Sequence, residues 1–328
     1  MSETPIAPGV RRPPRSASPH SDAKWWRLAG AIHPRLPVYL ADFREDPKWL
    51  LMFIMARFIP VRRAMWAFGR ARSMTGSQDS VVSCCLPSNE VAGRLHRDGL
   101  CTGLNLPRGI AESIRSFGDR TPCFGNFDRT MAFLPGDHHN FQRSLNRPIL
   151  VGHYLKHIEE SPEIQRVRSD PLLRDIARRY LNAKPIVICT RLWWSFPATS
   201  YDETTLKLAS QNRFHFDMND WRSLKFYFYL TDVDYETGPH VYVLGSHRRK
   251  RIRDQLTLFV GKSASAIERY YGSARIVSIE GRAGDGFAED PFGFHMGTVA
   301  HRRSRLILEV EYGVSPPTVR RYYGDPMV

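Results

Sequence analysis

Between residues 213 and 312 the chain is a series of short β-branched and aromatic runs separated by glycine and proline turns. The runs fall at residues 213–218, 224–233, 240–244, 275–280 and 305–312, with turns at Thr237-Gly238-Pro239, Gly281 and Gly284-Asp285-Gly286. Many short strands at this spacing predict a β-sandwich or jelly roll. Residues 185–194 (PIVICTRLWW) add a further strand just upstream.

The N-terminal half has a different texture. Residues 1–22 are rich in Pro and Ser and have little to bury, which predicts a disordered tail. Residues 23–87 form a basic, aromatic extension, within which residues 47–72 read as two short amphipathic helices broken at Pro60. Residues 88–328 are expected to form the main domain, with its β core at about 185–316. Within it, residues 89–117 read as helix, turn at Asp98-Gly99, short strand and second helix after Pro107. A long loop over 118–148 and helices over 148–160 and 171–181 complete the expectation.

Lys and Arg number 47 against 33 Asp and Glu, a net charge of +14 in 328 residues. Residues 1–72 hold thirteen of these cations against five acids. Such a surface favours an anionic or carrier-bound small molecule, or peripheral contact of residues 47–72 with an anionic membrane. A helix packed on the core with solvated arginines is the other reading of 47–72. The charge by itself does not choose among phosphorylated small molecules, anionic lipid headgroups, an acidic carrier protein and nucleic acid, of which nucleic acid is the least expected. Five cysteines at irregular spacing, without a CxxC pair, argue against a disulfide framework or structural zinc site and fit a reducing cytoplasm. The apolar run 49–56 is too short to span a bilayer.

The chemistry concentrates in Phe214-His215-Phe216-Asp217. On an extended chain His215 and Asp217 face one way and the two phenylalanines the other, so an imidazole and a carboxylate converge on one point. That is two-thirds of a facial metal triad, which leaves other coordination positions open. Downstream, His295 is followed ten residues later by Arg305, which opens an apolar strand. A histidine at one strand end completes a triad, and an arginine on the next strand can take the distal carboxylate of a dicarboxylate bidentately. His301 is a rival third ligand, but it stands only four residues before Arg305. His138-His139 read as exposed, His240 as cleft-facing or core, His247 as a structural strand end, and Cys84-Cys85 as buried apolar residues.

The H-x-D segment, the L-T-D-V-D segment, Gly238-Pro239 through Gly245-Ser246-His247, and the H-x-G-T…R-x-x-L-E-x-E-Y ending together resemble the phytanoyl-CoA dioxygenase family of Fe(II)/2-oxoglutarate oxygenases. The resemblance covers roughly residues 89–313. It implies a mainly β, double-stranded β-helix (jelly roll, cupin-like) core with flanking N-terminal helices. It implies Fe(II), 2-oxoglutarate and O2 as cofactor and co-substrates, with release of succinate and CO2 as an unactivated C–H of a small or lipid-like substrate is hydroxylated. It also implies roles: His215, Asp217 and His295 as metal ligands, Arg305 on the far carboxylate of 2-oxoglutarate, and Tyr227 against the co-substrate. Thr298 stands near the position of a hydroxyl that assists the arginine. Halogenating relatives lack the carboxylate, so Asp217 points to hydroxylation or another oxidation and away from halogenation.

Trp193, Trp194 and Trp221 flank the H-x-D and are candidates for the substrate pocket, with core packing as the other reading. A non-catalytic metal- or small-molecule-binding β-barrel is the alternative to an enzyme.

Overall fold

The computed structural model describes residues 10–11, 40, 43–69, 71, 79–155, 157–197, 212–256 and 261–316. Strand β1 (Val10–Arg11) precedes helices α1 (Pro47–Met55) and α2 (Ile59–Ala67). Asp46 caps α1 by accepting from the Lys48 amide at 2.8 Å, and Pro60 lies in the first turn of α2, where its missing N–H costs nothing. Then follow β2 (Ser83–Cys84), α3 (Ser88–Asp98), β3 (Leu100–Asn105) and α4 (Arg108–Arg120). Gly99, at φ 78°, ends α3 in the left-handed region that glycine tolerates.

The chain continues through β4 (Cys123–Gly125), β5 (Ala132–Phe133), α5 (His138–Ser144), β6 (Val151–His153), α6 (Pro162–Arg168) and α7 (Pro171–Leu181). The β core comprises β7 (Ile186–Ser195), β8 (Ser223–Tyr229), β9 (His240–Val243), β10 (Ile276–Ile279), β11 (Asp285–Glu289), β12 (His295–Gly297) and β13 (Arg305–Gly313). Helices α8 (Ile252–Leu256) and α9 (Ala264–Tyr271) lie between β9 and β10.

All pairings are antiparallel, in two sheets of order β2-β3-β11-β8-β13-β7-β6-β4-β5 and β1-β10-β9-β12. The sheets face each other across Tyr227, Tyr229, Phe287 and Ile307 of the large sheet and Tyr242, Val277 and Ile279 of the small one. Tyr229 ties the layers by donating its hydroxyl to the Ile279 carbonyl at 2.8 Å. This is the double-stranded β-helix.

Strand parity sorts the rest. Leu224, Phe226 and Phe228 of β8, with Leu306, Leu308 and Val310 of β13, point outward under α3, α4, α6 and α7. Each such side chain contributes about 1.5–3 kcal/mol by leaving water. Their neighbours Lys225, Tyr227, Ile307, Glu309 and Glu311 point inward, so these central strands are buried on both faces. Phe214, Phe216, Val241, Phe292 and Phe294 form a third cluster outside the small sheet.

Several expected elements differ. Residues 118–148 are not a loop but hold β4, β5 and α5. Residues 148–160 carry the strand β6 instead of a helix. Gly152 there lies so close to Cys123 and Phe196 that a Cβ would stand 2.6 Å from the Cys123 sulfur, and β6 pairs with β7 from Val151↔Ser195 to His153↔Trp193. Helix α6 was not expected at all. Residues 213–218 are held by two isolated bridges, Phe214↔Lys262 and His215↔His295, not by a continuous ladder. Strands β11 and β12 are too short to show an alternation. Two helices occur within 47–72, but the break falls at residues 56–58 and Pro60 lies inside α2, whose first turn tolerates it. Helix α2 is docked by polar contacts: Trp66 Nε1 donates to the Tyr180 carbonyl at 3.0 Å and the Ile59 amide to Gln255 Oε1 at 2.9 Å. Most of the tail expected at 1–22 lies outside the described residues. No described helix is long and apolar enough to cross a membrane.

Candidate active site

The backbone bridge His215↔His295, with both N–H···O bonds at 2.9 Å, sets the two imidazoles side by side at a ring separation of 4.4 Å. Asp217, two residues on, turns its carboxylate to the same point. The ligand atoms of His215, Asp217 and His295 all lie within 4.8 Å of one another. His295 Nε2 stands 3.6 Å from Asp217 Oδ2 and His215 Nε2 stands 4.0 Å from Asp217 Oδ1.

Two hydrogen bonds decide which nitrogens are available. His215 Nδ1 lies 3.1 Å from the Arg213 carbonyl and His295 Nδ1 lies 3.0 Å from the Gly293 carbonyl. A carbonyl only accepts, so both Nδ1 atoms carry the proton and both Nε2 atoms present a lone pair to the cluster when the rings are neutral. Burial, reinforced by the neighbouring His295, pushes His215 down to about 4. Burial opposes a charge on His295 too, but Glu289 and Asp217 outweigh it and raise its pKa. These donors are of the type and number that suit Fe(II) in a triad with open positions.

The triad opens into a cavity of about 140 Å³ between the sheets, walled by Trp193, Tyr227, His240, Arg305, Phe127 and His153 among others. Arg305 is buried at the start of β13, opposite Ser195 in register. Its guanidinium donates to the Gly238 carbonyl and to Ser195 Oγ at 3.1 Å, while Nε has no partner. No described carboxylate forms an ion pair with it, and burial lowers its pKa. A buried fork without a counter-charge, facing a cavity that also holds a metal-type triad, fits a small dicarboxylate.

The same inward rows carry a buried charge ladder that the sequence reading missed. Lys225 Nζ lies 2.7 Å from Asp217 Oδ2, 3.4 Å from Glu309 Oε1 and 4.0 Å from Glu311 Oε2. Arg191 pairs with Glu309 at 3.2 Å, and Asn219 donates to Glu311 at 2.8 Å. Burial works against both charges of the Lys225–Asp217 pair. The three carboxylates nevertheless raise the Lys225 pKa, and Lys225 with the two histidines holds Asp217 well below the usual carboxylate range. Behind the triad, Glu289 Oε2 lies 2.8 Å from His240 Nε2, with Oε1 at 3.8 Å from His295 Nδ1. Parity alone could have flagged Lys225 and Glu309, which share a face with Tyr227 and Arg305.

Other expected residues are distributed as follows. Tyr227 lines the cavity and stacks on Phe287 at 4.9 Å. Trp193 lines it as well. Trp194, one residue on, faces the opposite way into the helix-covered core, where its Nε1 donates to Tyr154 Oη at 3.0 Å. Trp221 is not among the cavity's lining residues. Thr298 donates its hydroxyl to the Pro239 carbonyl at 2.7 Å and stays outside the lining, so the hydroxyl that meets Arg305 is that of Ser195. His301 is exposed. His138, expected in solvent, is buried against Phe196 at 4.0 Å, and Cys84 and Cys85 are half-buried and exposed rather than core.

The profile of the phytanoyl-CoA dioxygenase (PhyH) family matches residues 135–299, half of the chain, and spans all three triad residues. The chain belongs to the phytanoyl-CoA dioxygenase family. It is an Fe(II)- and 2-oxoglutarate-dependent oxygenase, an oxidoreductase that consumes O2. No curated protein sequence matches this family member. Among solved structures it is similar to AviO1 from Streptomyces viridochromogenes Tue57 (14% identity, TM-score 0.46, 72% of this chain and 100% of that one). It is also similar to the non-heme α-ketoglutarate-dependent carbocyclase SnoK from nogalamycin biosynthesis (18%, 0.47, 77% and 97%). A third is HygX from Streptomyces hygroscopicus, solved with nickel and 2-oxoglutarate bound (15%, 0.46, 69% and 87%).

Proposed function

We propose that His215, Asp217 and His295 hold the Fe(II), that Arg305 with Ser195 takes the far carboxylate of 2-oxoglutarate, and that the substrate is a small organic molecule hydroxylated at an unactivated C–H. The observation that carries this reading is the pair of Nδ1-to-carbonyl bonds, which aims both Nε2 lone pairs at the Asp217 carboxylate in a cavity shared with an uncompensated guanidinium. Bound there, Fe(II) supplies the dioxygen chemistry that converts 2-oxoglutarate, O2 and R–H into succinate, CO2 and R–OH.

The chain's own residues do the rest. Arg305 fixes one end of the co-substrate, and its burial beneath the sheets keeps water from competing for the fork. Tyr227 and Trp193 supply flat apolar walls. Lys225 takes one carboxylate oxygen of Asp217 and so restricts how the other can turn. Asp217 itself occupies the position that a halide needs in halogenating relatives, which favours hydroxylation. The direct test is succinate release from 2-oxoglutarate by the Fe(II)-loaded chain. We expect it in the wild type and expect it lost in His215→Ala; equal release by both proteins refutes the assignment.

A finer reading concerns partners. The net charge of +14 favours an anionic or carrier-bound substrate. The exposed side chains of Leu51, Ile54, Met55 and Phe68, together with the exposed Arg63, favour peripheral contact of residues 47–72 with an anionic membrane. Co-sedimentation with anionic vesicles that Leu51→Asp and Ile54→Asp together do not reduce counts against that contact.

A further inference from the structure

A second cavity, of about 310 Å³, lies where α2 packs over α3, α7 and the turn after β9. It shares no lining residue with the triad cavity. One wall is aromatic: Trp66 meets His96 edge-on at 5.3 Å, and His96 lies 4.7 Å from Tyr180. The other walls carry four guanidinium groups, from Arg62, Arg63, Arg222 and Arg248, against one carboxylate, Asp290.

That carboxylate is already engaged. Asp290 accepts from Tyr180 Oη at 2.6 Å and from the Phe292 amide at 2.8 Å, and pairs with Arg62 at 3.5 Å. Arg63, Arg222 and Arg248 reach no carboxylate among the described residues. Arg222 is the most telling, because it is only 7% exposed. It donates one bond, to the Leu181 carbonyl, and its Nε has no partner. Arg248 spends one donor on the His96 carbonyl at 2.9 Å and is otherwise exposed. Taking a guanidinium out of water without a counter-charge is unfavourable unless something supplies that charge. Burial and the nearby Arg62 accordingly push Arg222 down to about 10.

We infer that this cavity binds an organic anion: a phosphate or carboxylate group held by Arg63, Arg222 and Arg248, carried on a ring or short apolar body that lies against Trp66, His96 and Tyr180. The fork geometry of three arginines suits a group with several acceptor oxygens, and a guanidinium beside aromatic faces suits an apolar body next to the charge. The inference stands apart from the metal site, since none of these residues faces the triad.

The test is calorimetric titration of the full chain with phenyl phosphate, inorganic phosphate and phenol, in saturating 2-oxoglutarate so that Arg305 does not compete. One site is expected, binding phenyl phosphate at least tenfold more tightly than either fragment. The exposed pair Arg63→Glu with Arg248→Glu should weaken it at least tenfold while the melting temperature and succinate release hold. Arg222→Gln should weaken it as well, provided it melts like the wild type. No binding of phenyl phosphate by the wild type, or unchanged binding by the double variant, overturns the proposal. Vesicles of phosphatidate separate the sources of the anion. Sedimentation that the double variant abolishes supports the site with a lipid headgroup as ligand. Binding of the soluble ester alone supports it with a free one.

Discussion

Lys225 Nζ sits 2.7 Å from Asp217 Oδ2 inside a wall of carboxylates, so the metal-type aspartate is paired with a buried cation from the neighbouring strand. The parity of β8 and β13 creates this arrangement, since it aims Lys225, Glu309 and Glu311 inward together. Replacing Lys225 with Met leaves Asp217, Glu309 and Glu311 facing one another without their shared cation. Removing one partner of a buried ion pair costs about 3–5 kcal/mol. Urea denaturation of Lys225→Met should show a loss of that order. Wild-type stability in that variant would mean that the ladder is not held by its lysine.

Arg305 gives a prediction that separates binding from turnover. Loss of a bidentate, buried charge pair costs roughly 2–5 kcal/mol, or about 30-fold and upward in affinity. Arg305→Gln should therefore raise the KM for 2-oxoglutarate by at least that factor. Ser195→Ala removes one neutral-donor contact and should cost about 1 kcal/mol, a several-fold rise. Steady-state kinetics with varied 2-oxoglutarate checks both, and an unchanged KM in Arg305→Gln would place the co-substrate elsewhere.

The two adjacent tryptophans should behave oppositely. Trp193 faces the cavity and Trp194 the helix-covered core. Trp194→Ala should lower stability by about 3–5 kcal/mol, visible in chemical denaturation. Trp193→Ala should act mainly on the kinetics of 2-oxoglutarate or substrate. A larger stability loss at Trp193 than at Trp194 would contradict the observed parity.

Acid should weaken the fold through His247. Burial pushes its pKa from 6.5 down to about 4 in the folded chain. The unfolded chain therefore binds the proton first as pH falls, so the stability is fully present above pH 6.5 and is lost progressively between pH 6.5 and 4. A shift of that size is of the order of 3 kcal/mol. Denaturation midpoints measured across that range should fall in the wild type, and the slope should be shallower in His247→Gln.

The sequence reveals this site better than it reveals the fold around it. His215 and Asp217 could be read together because side-chain alternation holds even for a segment joined by two isolated bridges. Arg305 was legible from its place ten residues after His295 at the head of an apolar strand, and Tyr227 only through the family resemblance. Strands β4, β5, β11 and β12 were not, because two to five residues carry no period and their pairing partners are remote. Residues 148–160 show how tertiary contact overrides local pattern: their apolar spacing suits a helix, but pairing with β7 draws Val151–His153 into the sheet. Ser195 and Glu289 were missed because a lone serine or glutamate has no signature until the strand register sets it beside Arg305 or His240, whereas the parity of Lys225 with Tyr227 was there to be used.

The most direct measurement of the account is the metal content of the purified chain. Titrated anaerobically with Fe(II) in the presence of 2-oxoglutarate, the wild type should bind one equivalent, and Asp217→Ala and His295→Ala should each bind none at the same concentration. One equivalent retained in both variants, with the wild-type affinity, would contradict the assignment of the triad.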